Sequence, residues 1–74
     1  MPHFLVRIGG DVDRVACFLA VAGIQNLRTE EGVRARLSAE DGEKAVQRVR
    51  AALEGEPFTV EVVTPEPETR RGLP

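Results

Sequence analysis

The period of the hydrophobic pattern constrains this chain more than any single residue does. In residues 3–8, Phe4, Val6 and Ile8 share one face, and His3, Leu5 and Arg7 share the other. In residues 33–37, Val33, Ala35 and Leu37 oppose Arg34 and Arg36. Near the end, Phe58, Val60 and Val62 alternate with Thr59, Glu61 and Val63. A period of two is that of a strand with one face buried and one face wet.

Two other segments keep helical spacing. Val12, Val15, Ala16 and Leu19 form one stripe, and Cys17, Phe18 and Val21 widen it, so this helix is expected to be buried on more than one side. Asp11 suits its N-cap, because the carboxylate can accept a free first-turn amide. Gly23 suits the residue after its C-cap. Ala45, Val46, Val49, Ala52 and Leu53 form a narrower stripe, with Glu43, Lys44, Gln47, Arg48 and Arg50 outside it. Ser38 and Asp41 have capping-box spacing, and Asp41 can itself be the cap. Gly55 ends this second helix.

Gly9-Gly10 is expected to break the first strand. Residues 24–28 are read as a short strand from their position, ahead of the turn Thr29-Glu30-Glu31-Gly32. The order is therefore strand, helix, strand, strand, helix, strand. It suggests an α+β fold, the ferredoxin-like βαββαβ sandwich: a four-stranded antiparallel sheet in order 4-1-3-2, with two helices on one face. Residues 1–64 make this single domain. Residues 65–74 have no periodicity and are expected to form an extended or disordered tail.

Such an architecture leaves one sheet face uncovered. The alternation places Leu5, Arg7, Arg34, Arg36, Glu61 and Val63 on it. Glu61 is expected beside Arg7, within reach of an ion pair across the ladder. These six residues are the expected interface, where arginines can meet a partner carboxylate or phosphate.

Composition narrows the function classes. A chain of 74 residues buries only roughly 60% of its unfolded surface, and small chains without staples often gain stability by associating. One cysteine, Cys17, rules out an internal disulfide, and one Cys with one His argues against a structural metal site. Cys17 is read as a small core residue, and His3 as a surface histidine. No cofactor is expected. The net charge of −2 gives no general attraction to nucleic acid or anionic membrane. The phenylalanines in strands, Phe4 and Phe58, fall on the core face, which argues against base stacking on the open sheet. The longest apolar stretch, residues 15–24, falls short of the about 20 residues that span a bilayer. A cytoplasmic location is the default expectation. No nucleophile–base or acid–base constellation is visible, so no enzyme is expected.

One stretch resembles a family. Gly10, Val15, Leu19, Ala22, Gly23 and Ile24 follow the turn, apolar helix and Ala-Gly-Ile entry of an ACT domain. Asp41, Lys44 and Ala45 are similar to that family's Asp-x-x-Lys-Ala stretch. Gly9 stands where the family usually has proline, and Gln25 where it often has asparagine. The resemblance covers residues 4–63 and implies a regulatory module that pairs with other copies. It also implies an amino acid or other small ligand at the first strand–helix turn. Gly9, Gly10, Asp11 and Gln25 are then the expected ligand-binding residues.

The expectation is a small non-catalytic binding or regulatory module, acting as a dimer or higher homo-oligomer. The alternative is a protein-interaction module that docks through its open sheet face or its tail.

Overall fold

Local sequence sets the helix ends. In the computed structural model, which describes residues 1–66, α1 spans Val12–Val21. The Asp11 carboxylate accepts the Arg14 amide at 3.2 Å. Past the C-cap Ala22, the Gly23 amide donates to Ala20 O at 3.0 Å, and the Ile24 amide donates to Leu19 O at 2.9 Å. This double closure requires the positive φ of 78° that Gly23 supplies. α2 spans Gly42–Ala52, with Asp41 as its cap, accepting the Lys44 amide at 2.9 Å. Asp41, not Ser38, therefore starts this helix.

Four strands complete the order: β1 (His3–Gly10), β2 (Gln25–Thr29), β3 (Gly32–Ser38) and β4 (Phe58–Pro65). All ladders are antiparallel, and the sheet order is β2-β3-β1-β4. Read from the other edge, that order is β4-β1-β3-β2. α1 lies over β2 and β3, while α2 lies over β4 and β1. One core holds both helices against one sheet face. Val15, Ala16 and Leu19 of α1 and Ala45 and Val49 of α2 join Phe4, Val6, Ile8, Val33, Ala35 and Leu37 there. All are buried.

Three local expectations are corrected. First, Gly9-Gly10 does not break β1. Both glycines sit in the ladder, opposite Thr59 and Phe58. Second, α1 is buried on one side only. Cys17 is exposed, and Val21 is 81% exposed, because the sheet covers a single stripe of this helix. Third, β4 runs on through Pro65, which faces Phe4, and the Glu66 amide donates to His3 O at 2.9 Å. The remainder of the expected tail, residues 67–74, lies outside the described residues.

A fourth correction concerns register. Ile8 faces Val60, but Arg7 faces Val62, so Glu61 is an extra residue in β4 and forms a bulge. A one-residue insertion exchanges the faces of everything after it. Val62, expected in the core, is 40% exposed on the open face. Val63, expected on the open face, faces Val6 and packs against the core. Two adjacent valines make either register apolar enough. Thr64 separates them: the bulge sends its hydroxyl outward, whereas an unbroken strand would bury it.

A bidentate ion pair ties α1 to the segment before β4. Arg14 Nε and Nη2 donate to Glu56 Oε1 and Oε2, each at 2.8 Å. The hydrogen bonds from Arg14 hold the Glu56 carboxyl below its ordinary 4.5. An unfolded chain therefore takes up this proton first as pH falls. The contribution of the pair is complete above the ordinary carboxylate range and is lost as pH drops through the lowered value. Glu56→Gln is expected to make stability less dependent on pH in acid. Urea midpoints measured between about pH 6 and about pH 3 test this, and equal slopes for both proteins refute it.

Candidate binding surface on the open sheet face

The sheet face away from the helices presents two full rows of side chains. Leu27, Arg34, Arg7 and Val62 form one row across the four strands. Gln25, Arg36, Leu5 and Thr64 form the next. Each is aimed outward by the alternation of its strand, with the Glu61 bulge bringing Val62 and Thr64 to this side. Leu27 is 58% exposed, so the face is apolar at both of its margins.

The charges on this face are unevenly matched. Arg7 Nη1 donates to Glu31 Oε1 at 3.0 Å. Its Nε lies 3.3 Å from Glu61 Oε1, near enough for attraction, yet this buried nitrogen makes no hydrogen bond. Arg36 Nε donates to both Glu66 oxygens, at 3.0 and 3.1 Å, and its Nη1 donates to Gln25 Oε1 at 3.1 Å. Those bonds lower the Glu66 carboxyl below its ordinary value. Arg34 has no ion pair among the described residues, although it stands directly opposite Arg7 in the ladder. Like charges in that position repel. Glu31 and Glu61 offset Arg7, and the Arg34 guanidinium is left uncompensated.

Two grooves flank Arg34. One, of about 490 Å³, is bordered by Leu5, Gln25, Leu27, Arg36 and Glu66. The other, of about 200 Å³, is bordered by Leu5, Arg7, Glu31, Val62 and Thr64. Both are open to solvent, and Arg34 and Leu5 form the ridge they share. A third hollow of about 420 Å³ lies between α2 and the end of β3, walled partly by the exposed Met1.

The residues expected to hold a small ligand do not come together. The Glu61 carboxylate and the Thr59 hydroxyl occupy the space over Gly9, where a side chain would stand. Gly10 pairs with Phe58, and Asp11 is engaged as a helix cap. Gln25 lies in the Leu5 row, across β3 from β1, and five positions before Gly10 along the strand direction. At the usual rise that is about 17 Å. Only Gln25 of the four is on the Arg34 groove. Of the expected interface residues, Leu5, Arg7, Arg34, Arg36 and Glu61 do share the open face, and Val63 does not. Leu27 was missed because the poor pattern of β2 gave no register. Val62 was missed because the bulge reversed its side.

Among the described residues, no group of three or more His, Cys, Asp or Glu side chains is placed to hold a metal ion. No helix is long and apolar enough to cross a membrane. No family model matches the chain, and neither a curated protein nor a solved structure matches it.

Proposed function

We propose that this chain is a small non-catalytic interaction module whose open sheet face docks a carboxylate-bearing segment of a partner protein. The observation that carries this reading is Arg34, an unpaired guanidinium set between two grooves and flanked by Leu5 and the exposed Leu27. A carboxylate on a partner would supply the missing charge with bidentate geometry. Apolar neighbours of that carboxylate would cover Leu27 and Val62. The element and sheet order support placing this face on a ferredoxin-like sandwich, the frame that ACT domains share. The scatter of Gly9, Gly10, Asp11 and Gln25 favours the sheet face over the first strand–helix turn as the binding surface.

Titration of the ¹⁵N-labelled protein with a short peptide of alternating Leu and Glu is expected to shift the amides of Leu5, Leu27, Arg34 and Arg36. Arg34→Ala should weaken that binding by about tenfold, the loss of a charge-assisted pair. Absence of shifts at millimolar peptide would defeat the proposal. Free amino acids, titrated in parallel, are expected to leave Gly9 and Gly10 unshifted. Shifts confined to those two glycines would favour a small-ligand module instead.

A further inference from the structure

The two edges of the sheet are not alike. β4 is defended against pairing: the Glu61 bulge breaks its regularity, and Pro65 lacks an amide to donate. β2 has no such defence. Gln25-Asn26-Leu27-Arg28-Thr29 pairs regularly with β3, without proline, lysine or bulge, and its outer side is unpaired. Natural sheets seldom leave a regular edge bare unless something pairs with it.

The helix above that edge is equally unfinished. Between Arg14 and Gln25 the chain has no charged or amide side chain, yet Cys17, Ala20, Val21 and Ala22 are exposed. Apolar residues all around a helix indicate burial on a second side. Two ion pairs orient α1. Asp13 meets Arg28 of β2 at 3.2 Å, and Arg14 meets Glu56 on the opposite flank. Asp13 therefore marks the flank over the β2 edge. Cys17 and Ala20, four and seven residues later, share that flank. They are small, and small residues let a second helix approach closely.

We infer that a second copy of this chain pairs here, β2 against β2 in antiparallel register, giving an eight-stranded sheet with the two α1 helices side by side. Three features select a second copy as the occupant. The outer side of β2 requires a strand, and a two-fold axis supplies one together with a matching helix. Antiparallel pairing centred on Leu27 sets Arg28 opposite Asn26 and Thr29 opposite Gln25, so no like charges face each other. The spacing also fits. Strands in a ladder lie about 4.8 Å apart. A helix seated between β2 and β3 then meets its mate at about twice that distance, within the ~8–10 Å of packed helices. A five-residue ladder and one helix flank form a contact smaller than the about 800 Å² per partner of a standard interface. Association in the micromolar to millimolar range follows.

Sedimentation equilibrium of the whole chain over that range is expected to show a monomer–dimer equilibrium. A short bismaleimide should link Cys17 to Cys17 of the partner copy in the unmodified protein. Ala20→Glu, at an exposed position, should retain the native circular dichroism and weaken the dimer by about tenfold or more. Val62→Lys, on the open face, should leave the dimer unchanged, which separates this interface from the surface around Arg34. A monomer throughout would overturn the proposal. So would a dimer that Ala20→Glu leaves intact, one that Val62→Lys dissociates, or one in which Cys17 does not cross-link.

Discussion

Gly32→Ala is expected to destabilise the protein by about 3 kcal/mol or more, the larger part of the about 5 kcal/mol typical of a marginal small domain. Gly32 opens β3 with a φ of 133°, a conformation that residues with a side chain rarely adopt. That strain alone costs ~1–3 kcal/mol. The added methyl would also collide with the carbonyl oxygen of Ile8. This atom is backbone in a central strand, and the Ile8 side chain is fully buried, so neither partner can swing away. Gly23→Ala separates the two causes. Gly23 also has a positive φ, 78°, but nothing lies within 4 Å of the position its Cβ would take. It is expected to lose only about 1–2 kcal/mol. Denaturant unfolding of both variants measures the difference. Equal losses would mean that β1 yields to the methyl group.

Leu19→Ala is expected to cost about 3–5 kcal/mol. Leu19 is fully buried where α1 meets the sheet, and its carbonyl accepts the Ile24 amide that closes the helix. In so thin a core the neighbours cannot collapse into the space without pulling α1 off the sheet. Val21, two residues away, provides the contrast. It is 81% exposed, and Val21→Ala should change the monomer's stability by less than about 0.5 kcal/mol. Urea midpoints of the two variants, measured at a concentration where the chain is monomeric, test the pair. Similar losses would show that the outer side of α1 is already covered in the isolated chain.

Five of the six residues expected on the open face are there, because strand alternation is a local property and β1 and β3 obey it without interruption. The expected ion pair of Arg7 with Glu61 is present, although its geometry arises differently. Glu61 reaches Arg7 as a bulge residue, and Gly9 leaves the room for its carboxylate. Cys17 and Val21 could not be placed from their own helix. Its apolar positions go all the way round, and which stripe meets the sheet depends on where the strands lie.

The sequence by itself determined what is decided within about four residues along the chain. Asp11 and Asp41 start the helices, Gly23 closes the first of them, and Thr29 to Gly32 turns the hairpin. Those contacts are satisfied inside the segment that carries them. Only the tertiary structure decided the register of β4, the separation of Gln25 from Gly10, and which side of α1 stays bare. Each depends on groups far apart in sequence. Val62-Val63 is apolar in either register, and the choice is made by Thr64, by Arg7 and by the space over Gly9, on a strand some fifty residues earlier. The surface around Arg34 is therefore half local and half tertiary: alternation turned the arginines outward, and one extra residue in β4 supplied its Val62 margin.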